Sequence, residues 1–122
     1  MIYIGKRKLG TFFQRALKIE NFCALINFFK VHRNPIKSVF KEVFSLGKYP
    51  IKLFFNTPIG VKNVTIYSAN DFSTFNLIFC RKDYHISKKD RIILDIGSNI
   101  GLSTVYWLTR NNENIVYCYE PS

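Results

Sequence analysis

The stretch RIILDIGSNIGLSTVYWL, Arg91 to Leu108, constrains this chain more than any other. Ile92, Ile93, Leu94 and Ile96 form a continuous apolar run, the texture of a strand buried on both faces, and it gives way to the glycine turn DIGSNIG, Asp95 to Gly101. Leu102, Val105, Tyr106, Leu108 and Thr109 then fit a helix ending near the polar stretch Arg110 to Asn114. Ile115 to Tyr119 supply a second apolar strand that leads into Glu120. Strand, glycine turn, helix and strand make a βαβ unit, and the chain therefore belongs to the α/β class with a parallel sheet. Ligands of such sheets bind beyond the carboxyl ends of the strands, where both DIGSNIG and Glu120 are expected.

The residue types in the turn select the ligand. Gly97 and Gly101 permit backbone conformations and close approaches that a side chain would block, and Asn99 is one of the few other residues that tolerates the left-handed region. Glu120 follows Gly101 by close to the ~20 residues at which a carboxylate ending the second strand meets a ribose hydroxyl. The spacing G-S-N-I-G is not the G-x-G-x-x-G of dinucleotide sites, and Asp95 stands directly before it, so a pyrophosphate is disfavoured. A sulfonium and an amino group are instead attracted to a nearby carboxylate. The residues thus favour S-adenosylmethionine over a nicotinamide cofactor, with an ordinary strand-to-helix connection as the alternative.

IILDIGSNIGLSTVYWL followed by VYCYEPS resembles motifs I and II of class I methyltransferases, in the style of the FkbM family. The usual family form is D-x-G-A-N-x-G after an apolar strand, then a second strand ending in E-P; Ser98 replaces the common alanine. ANDFSTFNLIFCRKDY, Ala69 to Tyr84, echoes the family's lead-in, with Asn70 where histidine is often seen. The resemblance covers roughly residues 50–122. It implies an incomplete Rossmann-like, class I methyltransferase βαβ unit preceded by a β-hairpin and N-terminal helices. It further implies a cofactor site of Asp95, Gly97, Ser98, Asn99, Gly101 and Glu120, in which Asp95 and Gly97 line the methionine end of S-adenosylmethionine and Glu120 accepts from the ribose. The activity it implies is methyl transfer, as O-methylation of a sugar, glycan or other hydroxylated small molecule. Acceptor and base residues of that fold come from later strands, so the catalytic residues are unassigned. The expectation is an N-terminal fragment of a longer enzyme, inactive alone.

Three regions are expected: a basic helical region over 1–48, a hairpin and helix lead-in over 49–90, and the start of the truncated methyltransferase domain over 91–122. Apolar residues from Thr11 to Val31 recur at helical steps, and Asn34-Pro35 marks the start of a second helix that Gly47 closes. Ile51 to Phe55 and Val61 to Tyr67 read as a β-hairpin able to cover one edge of a larger sheet. Asp71 is the expected cap of a short helix over DFSTFNLIFC.

The net charge is +10, and residues 1–62 account for all of it, with 12 Lys/Arg against Glu20 and Glu42. These cations read first as solvated helix faces. Next comes a membrane-surface contact through Phe12, Phe13, Phe22, Phe28 and Phe29, and last nucleic acid, for which no reading motif is present. A non-catalytic basic module is therefore the alternative function. The three cysteines are widely spaced in apolar settings, as small buried hydrophobes rather than disulfide or zinc partners, and they point to a reducing, cytoplasmic setting. His32 and His85 read as surface or loop residues, and no metal site is expected.

Overall fold

In the computed structural model, residues 3–4, 7–8, 19–44, 48–87 and 89–121 are described. They form a small α/β fold. Tyr3–Ile4 (β1) and Arg7–Lys8 (β2) make a two-residue antiparallel ladder, so the basic N-terminal region is not wholly helical as expected. Helices α1 (Ile19–Val31) and α2 (Pro35–Phe44) follow, then strands β3 (Ile51–Thr57) and β4 (Gly60–Ile66). Helix α3 (Ala69–Asn76) runs into a π turn (Leu77–Arg81), and the chain continues through β5 (Ile92–Ile96), α4 (Leu102–Leu108) and β6 (Ile115–Tyr119). The expected helical stretch 11–18 and Gly47 lie outside the described residues.

Local signals place several elements where the sequence predicts them. Helix α2 begins at Pro35, with the Ser38 amide donating to the Asn34 carbonyl, because proline has no amide to leave unpaired at a helix start. Strands β3 and β4 pair antiparallel from Ile51↔Ile66 to Thr57↔Gly60. The turn between them needs a left-handed residue, and Gly60 supplies it with φ +101°. This hairpin is its own two-stranded sheet rather than an edge of a larger one.

The cap of α3 is Ser68 rather than Asp71. The Ser68 hydroxyl accepts from the Asp71 amide at 3.1 Å, and the Asp71 carboxylate reaches back to accept from the Tyr67 amide at 3.2 Å. Serine three residues before an acid is the capping-box arrangement, which starts the helix at Ala69, two residues earlier than the expected segment. The π turn then inserts one extra residue per turn, which brings Ile78, Phe79 and Cys80 inward together. Lys82 ends it in the left-handed region, with its amide donating to the Leu77 carbonyl.

An aromatic column forms the core. Phe55 of β3 meets Phe75 and Phe79 edge-on at 5.0 and 4.9 Å, Phe75 stacks on Phe79 at 4.4 Å, and Phe79 meets Tyr106 of α4 edge-on at 5.2 Å. Ile66, Phe72 and Leu102 complete the buried surround. Aromatic pairs in these geometries contribute beyond their buried area, so hairpin, α3 and α4 are held by one continuous contact.

His32 is buried, not a surface residue. It ends α1 against β3, where a single antiparallel bridge joins it to Phe55, and its ring lies 4.1 Å from Phe28, 5.7 Å from Phe72 and 5.5 Å from Phe75. Its Nε2 pairs with Asn76 Oδ1 at 2.8 Å, while Nδ1 is buried without a partner. A neutral ring satisfies this site by donating from Nε2 alone; a second proton on Nδ1 would have no acceptor. Burial accordingly lowers its pKa, outweighing the Asn76 bond that raises it. Of the cysteines, Cys80 is buried, whereas Cys23 and Cys118 are exposed, which corrects the expectation for those two.

Strands β5 and β6 pair parallel in register from Ile92↔Ile115 to Ile96↔Tyr119. One face is covered by α4. On the other, Ile92, Leu94, Ile96, Ile115, Tyr117 and Tyr119 stand 53–71% exposed. The expectation of a strand buried on both faces therefore holds for one face only, since no described element covers the second.

Two outcomes follow. Phe79→Ala removes the link between hairpin and α4 and is expected to lower unfolding free energy in urea by about 3–5 kcal/mol. Stability measured against pH should be level above about 6.5 and decline below it, because the unfolded chain takes up the His32 proton before the folded one does. The decline should flatten in His32→Leu.

Candidate functional site

The carboxyl ends of β5 and β6 carry every site residue the sequence singles out. Because Asp95 pairs with Cys118 in register, Asp95, Cys118 and, two residues on, Glu120 occupy the same face, the one toward α4. Past β5 the chain turns through three left-handed residues, Gly97 at φ +78°, Asn99 at φ +48° and Gly101 at φ +83°. That conformation is what the glycines supply: a Cβ added at Gly97 or Gly101 meets nothing within 4 Å, so close approach within the protein plays no part. The Gly97 amide donates to the Tyr119 carbonyl at 2.7 Å, extending the ladder by one bond, and the Gly101 amide donates to the Ser98 carbonyl at 2.8 Å. Ser98 is itself buried.

The two carboxylates are held differently. Asp95 is 8% exposed, and its Oδ2 accepts from the Ser103 hydroxyl at 2.8 Å and the Thr104 hydroxyl at 2.7 Å. These bonds satisfy one oxygen and leave Oδ1 without a partner among the described residues. Thr104 Oγ1 also lies 3.1 Å from Cys118 Sγ, which ties the first turn of α4 to both strands. Glu120 is exposed, and its Oε2 accepts from the Asn99 amide at 2.5 Å. The turn is thus fastened to the end of β6, with the second carboxylate oxygen open to solvent.

Ser103, Thr104 and Cys118 are absent from the expected site. Their signal is visible only in retrospect: two adjacent hydroxyl residues open an otherwise apolar helix one turn after the aspartate's strand ends. Among the described residues, no three of His, Cys, Asp and Glu come close enough to hold a metal ion, and no helix is long and apolar enough to cross a membrane. No family model matches the chain, and comparison with curated proteins and with solved structures yields no match either.

Because the Thr104 hydroxyl serves a buried carboxylate, Thr104→Val should cost about 1.5–3 kcal/mol in urea unfolding. In an Asp95→Ala background the same substitution should cost much less, and the double-mutant cycle reads the difference.

Proposed function

We propose that this chain is an S-adenosylmethionine-dependent methyltransferase of the FkbM type, its β5-α4-β6 unit forming part of a Rossmann-like class I domain. The observation that carries the proposal is the pair Asp95 and Glu120, two carboxylates on one face at the carboxyl ends of paired parallel strands, on either side of a left-handed glycine turn. Two negative charges there repel a pyrophosphate and attract a sulfonium nucleoside.

The donor set fits that cofactor. The open Glu120 oxygen accepts hydrogen bonds from a ribose diol, and Asp95 Oδ1, without a partner among the described residues, accepts from the amino group at the methionine end. Ser103 and Thr104 fix the Asp95 carboxylate from behind, so its orientation does not depend on the ligand. When bound, S-adenosylmethionine supplies an electrophilic methyl group, and transfer rests chiefly on holding the acceptor in line with it. A hydroxylated small molecule or glycan is the proposed acceptor.

Calorimetry with S-adenosylhomocysteine tests the reading without requiring turnover. Saturable binding is expected, lost in Asp95→Ala and Glu120→Ala and not displaced by NAD. Folded protein that binds NAD, or neither compound, would refute it.

A second reading, a basic module on a membrane surface, is favoured by Phe22, Leu25 and Phe29 of α1, each more than half exposed in the positively charged half of the chain. It requires salt-sensitive binding to anionic vesicles, in the absence of cofactor binding.

A further inference from the structure

Side-chain alternation sends Ile93 and Asp95, with Val116 and Cys118 beside them, toward α4, and sends Ile92, Leu94 and Ile96 the other way. On that outer face the pairing register sets three rows, Ile92 with Ile115, Leu94 with Tyr117 and Ile96 with Tyr119. Each of these residues is more than half exposed, and none carries a charge. Scattered apolar residues are normal on a protein surface, whereas a contiguous apolar patch marks a contact. A parallel sheet, moreover, is ordinarily covered on both faces.

The size and the chemistry of the face decide what covers it. At these exposures its side chains present roughly 800 Å² per copy, the share that each partner contributes to a standard protein–protein interface. Two copies stacked on it can bury up to about 1,600 Å², above the ~1,000 Å² that a specific interface needs. An anionic bilayer or a nucleic acid finds no cation on this face, and residues 63–122 as a whole hold six Lys/Arg against six Asp/Glu. The same neutrality lets two copies meet here without apposing like charges in the contact, because the positive excess belongs to residues 1–62. Tyr117 and Tyr119 suit such a contact, since a tyrosine ring buries apolar area while its hydroxyl bonds to a partner or to water.

We propose that a second copy of this chain covers the face, in a two-fold dimer of stacked β5–β6 sheets. Sheets packed face to face lie about 10 Å apart, with strand directions within about 30° of each other. A two-fold axis along the strands lays the Ile92, Leu94 and Ile96 column of each copy on the Ile115, Tyr117 and Tyr119 column of the other. Slender aliphatic chains then meet bulky rings in both halves of one self-complementary contact. Leu94 and Tyr117, the middle row, lie at its centre, where desolvated side chains carry most of the binding energy. The dimer goes beyond the cofactor reading and does not depend on it, because Asp95 belongs to the opposite face of the sheet.

Sedimentation equilibrium of the whole chain tests the assignment. The mass is expected to rise from one chain to two below about 100 μM. It should stay there in about 0.5 M NaCl, which screens charge but not apolar burial. Leu94→Lys, at a position exposed in the single copy, puts a cation at the centre of the contact and should weaken association by about thirtyfold or more, with the fold verified by circular dichroism. Phe29→Lys, on the exposed side of α1, should leave association unchanged. In a mixture of isotope-labelled and unlabelled chain, filtered NOEs should join the Leu94 methyls of one copy to the Tyr117 ring of the other. A chain monomeric at about 100 μM, a dimer lost in high salt, a dimer broken by Phe29→Lys but not by Leu94→Lys, or a dimer without those NOEs would overturn the proposal. So would a monomer that binds phosphatidylcholine vesicles and loses that binding in Leu94→Lys, which makes a lipid surface the occupant.

Discussion

The edge-on contact between Phe79 and Tyr106 is the joint on which the molecule depends. Phe79 belongs to the column that ties the hairpin to α3, and Tyr106 is, with Leu102, an inward apolar residue of α4. Helix α4 is short and covers one side of a two-stranded parallel ribbon, an arrangement too small to hold itself together. Its position comes from the aromatic column, and the column thereby sets the Ser103 and Thr104 hydroxyls that seat Asp95. The same ring of Tyr106 supports the Arg110 guanidinium on its other side. The Asp95 carboxylate and the Arg110 guanidinium thus rest on one apolar contact, at opposite ends of one helix.

The division of the βαβ unit into two electrostatic ends follows from chain direction. Parallel pairing in register sends both carboxylates to one end and both strand-preceding residues, Arg91 and Asn114, to the other. A one-residue slip between β5 and β6 would turn Glu120 away from Asp95, because side chains alternate between faces. The Gly97 amide bond to the Tyr119 carbonyl works against such a slip, and the Asn99 amide bond to Glu120 does so again one turn later.

Elements marked by short-range chemistry were legible in the sequence. Proline and asparagine start α2, the strand-forming runs Ile51 to Phe55 and Val61 to Tyr67 mark β3 and β4, and apolar runs around DIGSNIG mark β5, α4 and β6. What escaped depends on contacts far along the chain. His32 is polar by type, yet Phe28, Phe72 and Phe75 enclose it, and only Asn76, in a different helix, makes this tolerable. Ser68 and Asp71 both qualify as caps, and the bond from the Asp71 amide to the Ser68 hydroxyl decides between them. The candidate site was legible in Asp95, the turn and Glu120, whereas the hydroxyls behind Asp95 look, from the sequence, like ordinary helix residues. The apolar run of β5 carries no information about whether one face or two will find cover.

That uncovered face meets a second property of the chain. The excess positive charge lies entirely in residues 1–62, while Ile92, Leu94, Ile96, Ile115, Tyr117 and Tyr119 present a contiguous apolar ladder from the neutral half. The charge of residues 1–62 is therefore felt at this ladder over a distance that ionic strength sets, about 10 Å at 0.1 M salt and about 30 Å at 0.01 M.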